Sequence, residues 1–195
     1  MIKALILLLL NLAIGLAGAH AADLPNDSIY QVKSKWVDQS GKTVELSSLA
    51  GKPVAISMIY LSCKFSCPTT VAHMKTLERM LPEHLKNDIQ FVLVSFDPTH
   101  DTPAVMKDYA GKHSLDFPKW RFITARNESD LRELSSLIEF KYRKISKGDF
   151  EHSFGIAALD AEGRMIGSTI GAAMEEKDLV PLFEKASHRP IPVAR

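Results

Sequence analysis

Cysteine is scarce: Cys63 and Cys67 are the only two in 195 residues. So few exclude a disulfide-built scaffold. A bridge across so short a loop would add little stability, because the chain-entropy gain grows with loop size. An excess of charge of one sign is also lacking, with a formal net of +1. Removing residues 1–21 takes away Lys3 and no acid, which leaves 23 cations against 23 acids. A neutral domain carries no electrostatic footprint for nucleic acid. There is no internal repeat and no low-complexity tract, and no apolar run reaches the roughly 20 residues a spanning helix needs. Hydrophobic residues make up 46% and charged residues 24%, a globular composition that excludes disorder over most of the length.

Met1-Ile2-Lys3, an apolar run from Ala4 to about Leu16, and Ala19-His20-Ala21 have the three parts of a secretory signal peptide. The expectation is cleavage after Ala21 and export to a periplasm, or to a membrane surface facing one. If the leader is removed, the protein is not integral to the membrane. The division that follows is signal peptide 1–21, flexible lead-in 22–32, one domain over 33–188 and a tail over 189–195.

Along the domain, Lys35–Val37 and Thr43–Leu46 flank the turn Gln39-Ser40-Gly41-Lys42 and read as a hairpin. Val54–Leu61 is nearly all apolar, as a strand buried on both faces should be. Pro68 suits the first turn of a helix, and Val71, Met74, Leu77 and Leu81 recur at helical spacing up to Pro82. Ile89–Phe96 is a second buried strand. Thr102 and Pro103 open another helix as N-cap and N1. Arg121–Thr124 reads as a short strand, Ser129–Phe140 as a helix, Phe154–Asp160 and Arg164–Ile170 as a pair of strands, and Glu175–Ser187 as a closing helix. Strand, crossover helix, strand implies parallel pairing, and the late pair adds antiparallel edges. The fold class is α/β: a mixed central sheet flanked by helices, with an N-terminal β-hairpin, which is the thioredoxin-like arrangement.

Cys63 and Cys67 fall between a buried strand and a helix N-terminus, where the helix dipole and free N–H groups lower a thiol pKa. Thiolate is the form that attacks disulfides and binds soft metals, so the pair suits a redox-active disulfide or a metal. Soft thiolates favour Cu(I) or zinc, and structural zinc asks for four protein ligands. Of the seven histidines, His20 leaves with the leader, His73 and His84 read as exposed, His113 sits at a helix end that favours a cation, and His188 lies in the tail. His100 occupies a loop after a strand, near where α/β sites form, yet reads as solvated. His152 immediately precedes the strand predicted at Phe154, beside the cysteine loop in such a fold; on residue type alone it too reads as solvated. Asp97 and Asp101 read as turn residues beside the Thr102 cap. Met58, Met74 and Met80 read as core.

Cys63-x-x-x-Cys67-Pro68, Val94-Ser95-Phe96-Asp97-Pro98-x-x-Asp101-Thr102 and His152-Ser153 ahead of Leu159-Asp160-Ala161-Glu162-Gly163 together resemble the Sco/SenC family of copper proteins that assist cytochrome c oxidase assembly. The similarity runs from about Lys35 to Phe183. It implies one copper ion per chain, as Cu(I), Cu(II) or both, held by Cys63, Cys67 and His152. It also implies the copper-bearing subunit of the oxidase as partner, together with other copper chaperones, and a role at its copper A site. That role is copper delivery or keeping the client's cysteines reduced. Lys64-Phe65-Ser66 departs from the acidic or proline-containing insert frequent in the family. The rival function is a periplasmic thiol-disulfide oxidoreductase that uses Cys63 and Cys67 without metal.

Overall fold

The structure, a computed structural model, describes residues 24–62, 66–146, 149–170 and 175–187, with the backbone alone at 66–68 and 146. Among the described residues nine strands and four α-helices follow in chain order: β1 Trp36–Asp38, β2 Thr43–Val44, β3 Val54–Ile59, α1 Ser66–Met80, β4 Gln90–Ser95, α2 Pro103–Lys112, β5 Trp120–Ala125, α3 Glu128–Leu137, β6 Tyr142–Ser146, β7 Asp149–His152, β8 Ala157–Leu159, β9 Met165–Ser168 and α4 Glu176–Ser187. Seven strands form one sheet in the order β2-β1-β5-β4-β3-β8-β9, and β6 with β7 stands apart as a two-stranded sheet.

Burial explains the centre. Every residue of β3 is buried, and β4 is buried from Phe91 onward. The two pair in parallel from Val54↔Gln90 to Ile59↔Ser95, so their C-terminal ends finish side by side. β5 continues the parallel block, while β1 and β8 join it antiparallel. Phe91 stacks on Trp120 at 4.7 Å inside this core. The helices obey local chemistry: Thr102 accepts from the Val105 N–H to cap α2, with Pro103 in its first turn, and Asn127 accepts from the Asp130 N–H to cap α3.

Four expectations change. The segment 22–32 is packed from Ser28 onward: Ile29 and Tyr30 are buried, and the Ile29 N–H donates to Gly163 O at 3.0 Å, so the folded domain begins before residue 33. α3 stops at Leu137, three residues short of Phe140. Glu139 takes φ +59°, and the Phe140 N–H turns back to Ser135 O. The strand expected from Phe154 begins only at Ala157. Gly155 has φ +136°, and a Cβ there would lie 2.7 Å from Ile170 N, so the chain crosses a neighbouring backbone where only glycine fits. The β6–β7 hairpin was not expected at all.

Candidate metal and redox site

The C-terminal ends of β3 and β4 lie side by side at one end of the sheet, α1 begins a few residues after β3, and the last residue of β7 packs against Tyr60 just past β3. Cys67 is the second residue of α1, a helix of 15 residues. That position offers unbonded backbone N–H groups and the positive end of the helix dipole, which favour a thiolate. Cys63 lies outside the described residues, between Ser62 and Ser66 in the chain.

His152 is the last residue of β7, opposite Tyr142 on β6. Its ring meets Tyr60 edge-on at 5.8 Å, lies 5.4 Å from Phe96 and stacks on Phe140 at 5.9 Å. Tyr60 in turn packs on Phe96 and Phe150 at 5.4 and 5.1 Å. Tyr60 is three residues before Cys63, so the aromatic cluster ties His152 to the strand end that feeds the cysteines. The His152 Nδ1 stands 2.6 Å from Ser153 O. A carbonyl only accepts, so Nδ1 carries the proton and the lone pair of the neutral ring sits on Nε2. This arrangement fixes both tautomer and ring direction, as second-shell partners of ligating histidines do.

The aspartates do more than shape a turn. The Asp101 N–H does close the turn onto Asp97 O, and Thr102 does cap α2. The Asp101 carboxylate, however, is buried and reaches across the sheet end. Its Oδ2 accepts from the Leu61 N–H at 2.9 Å and from Ser95 Oγ at 2.5 Å. Burial raises its pKa above the ordinary aspartate value against the pull of those two bonds. Asp97 accepts from His100 Nδ1 at 2.7 Å, and the His100 ring is otherwise exposed.

The remaining candidate donors have other partners, serve packing or are exposed. His73 is half-buried rather than on an open face: its Nδ1 contacts the Glu176 carboxylate and its ring packs edge-on against Phe154 at 4.9 Å. His84 is exposed. His113 stacks on Tyr109 at 4.1 Å, and burial followed by Lys75 and Lys112 lowers its pKa, so that helix end does not favour the cation expected there. His20 and His188 lie outside the described residues. Met58 and Met74 are core, whereas Met80 is exposed.

Sequence reasoning missed the aromatic nest of Tyr60, Phe96, Phe140, Tyr142 and Phe150. A signal was present: Phe140-x-Tyr142 and Phe150-x-His152 alternate on either side of Ser146-Lys147-Gly148-Asp149, the pattern of two strands about a turn.

Residues 25–184 match the family model described as SCO1/SenC. This chain belongs to the SCO1/SenC family. A Bacillus subtilis SCO1 protein homologue is 33% identical over 98 residues, half of this chain and half of that protein. An SCO2-like protein of Rickettsia felis is 29% identical over 136 residues, 67% of this chain and 64% of the relative. The chain thus spans between half and two thirds of the length of these curated relatives. Among solved structures, Bradyrhizobium japonicum ScoI with copper bound superposes with a TM-score of 0.63 at 22% identity, covering 78% of this chain and 96% of that one. BsSco, in which a disulfide switch has been identified and which belongs to the Sco family of cytochrome c oxidase assembly proteins, gives a TM-score of 0.66 at 25% identity, covering 80% and 92%. The mixed, helix-flanked sheet is the thioredoxin-like fold.

Proposed function

We propose that this SCO1/SenC protein binds one copper ion through Cys63, Cys67 and His152 and serves assembly of the copper A site of a cytochrome c oxidase. The observation that carries the reading is His152. Its ring is oriented by Ser153 O and packed against Tyr60, three residues from Cys63, an arrangement that a dithiol acting alone does not require. The donor set fits the metal: two thiol sulfurs suit Cu(I), and imidazole suits either oxidation state. Structural zinc would want a fourth protein ligand. The copper-bound solved relatives support the same choice. Copper is cargo in this role. The protein's part is to hold both thiols near a helix N-terminus and to present an oriented imidazole. The oxidised pair, as a disulfide, cannot bind metal, because both thiolate ligands are lost at once. The partner is the copper-bearing oxidase subunit, with other copper chaperones as donors. The leader over residues 1–21 directs the chain to the periplasm or to a membrane surface facing it.

A second reading has its own observation: Cys67 in the first turn of a long helix also suits a metal-free thiol-disulfide oxidoreductase acting through Cys63 and Cys67. One series separates them. Reduced wild type should take up one copper per chain, and diamide-oxidised protein none. His152→Ala should keep the disulfide chemistry yet bind copper at least ~10-fold more weakly, the scale of even second-shell losses at metal sites. The loss should be larger for Cu(II), which wants more ligands than Cu(I). Removing the ring from the aromatic cluster should cost about 1 kcal/mol of stability. If His152→Ala titrates with copper as wild type does, or zinc outcompetes Cu(I), the copper reading gives way to the reductase.

A further inference from the structure

Past Ile59 the chain leaves the sheet. The last ladder-like bond there is the Phe96 N–H donating to Ile59 O at 3.0 Å, and β8 pairs with β3 only as far as Ile56. Two residues later the Leu61 N–H is held by a side chain from 40 positions away, Asp101. That acceptor is itself bolted down. The Asp101 N–H bonds Asp97 O at 2.9 Å, the Asp97 N–H bonds Ser95 Oγ at 3.0 Å, and Ser95 Oγ donates to the same Asp101 Oδ2 that receives Leu61. Burying a carboxylate to 1% exposure is costly, and a charged acceptor makes the stronger bond. On the other side of Leu61, the Tyr60 ring is seated in the cluster that holds His152. The two residues that lead toward Cys63 are therefore fixed twice, by a carboxylate on one side and by aromatic packing on the other.

We infer that Asp101 is a positioning residue for the cysteine segment, setting through the Leu61 N–H where the chain toward Cys63 departs relative to His152. The inference deepens the copper reading and rests on it for its metal arm, while its redox arm does not need copper. A loosened anchor frees the reduced dithiol more than the closed disulfide, so the disulfide is favoured less and the potential rises. The same loosening scatters one of three copper donors.

The test compares Asp101→Ala, Asp101→Asn and Ser95→Ala with wild type. The readouts are a glutathione redox titration of the Cys63–Cys67 couple, Cu(I) affinity by chelator competition, and urea unfolding. Asp101→Ala should shift the dithiol-disulfide equilibrium at least ~tenfold toward dithiol, about 30 mV upward for a two-electron couple, and weaken Cu(I) at least ~tenfold, as outer-shell losses do. Asp101→Asn, whose amide oxygen can accept both bonds, should stay within about threefold of wild type in both. Ser95→Ala, which removes one donor from the shared oxygen, should fall between, and it decides the matter if Asp101→Ala does not fold. A stability loss with both site readouts at wild-type values would reduce Asp101 to a structural role and overturn the inference. So would Asp101→Asn behaving like Asp101→Ala, since charge and not acceptor position would then matter. Failure of wild type to bind copper would sink the copper reading alone, and the redox titration would still judge Asp101.

Discussion

His113 closes α2, where the carbonyl ends of a helix ordinarily welcome a proton on imidazole. Here burial against Tyr109, reinforced by Lys75 and Lys112, outweighs that pull and lowers its pKa. The unfolded chain therefore binds a proton at higher pH than the folded one. Stability is intact above the ordinary histidine value of about 6.5 and falls as the pH drops below it toward the depressed value. His113→Gln should flatten that part of the stability-pH curve, measured as urea midpoints between pH 7 and 5; an unchanged slope would remove His113 as its source. The residue also shows where sequence reading stops. A helix-end histidine is legible in Gly111-Lys112-His113-Ser114, but the Lys75 that faces it comes from α1. Asp101 is the same case: its turn is readable from Asp97-Pro98-x-x-Asp101-Thr102, and its bond to Leu61 is not, because nothing local records a partner 40 residues back.

The β6–β7 hairpin is the element that the primary structure concealed. β7 alternates polar and aromatic residues, but β6 sets Arg143 beside Lys144, so the apolar signal rests on a few aromatic positions. The buried strands β3 and β4, by contrast, announce themselves as continuous apolar runs, and α2 through Thr102 and Pro103. A two-stranded ribbon is marginal on its own, so this one depends on Tyr142 and Phe150 packing against Phe96, each at 5.1 Å. Phe150→Ala should therefore speed hydrogen exchange of hairpin amides such as the Ser153 N–H bonded to Lys141 O, while amides of β3 and β4 exchange as before. Uniform acceleration across the sheet would instead mean that the hairpin and core open as one unit.

Across the whole molecule, the N-terminal segment packs against the β8–β9 turn. Tyr30 is fully buried, and a Cβ on Gly163 would lie 2.6 Å from its ring. Gly163 takes φ +82° in the β8–β9 turn, so the turn and the tyrosine are made for each other. Tyr30→Ala should cost about 3–5 kcal/mol, the range for deleting a buried large aromatic, read as a lower urea midpoint. Tyr30→Phe should keep nearly all of that stability, because the hydroxyl has no hydrogen-bond partner among the described residues. A cost below about 1 kcal/mol for Tyr30→Ala would mean that the segment is not part of the folded unit.

Cys67 and His152 belong to different hosts. Cys67 rides on α1, packed against α4, and the Leu61 N–H is bonded to Asp101, itself tied to Ser95 at the end of β4. His152 hangs from a ribbon that shares no ladder with the main sheet. The place of the imidazole relative to the cysteine segment therefore rests on aromatic packing against Tyr60 and Phe96 and not on sheet hydrogen bonds.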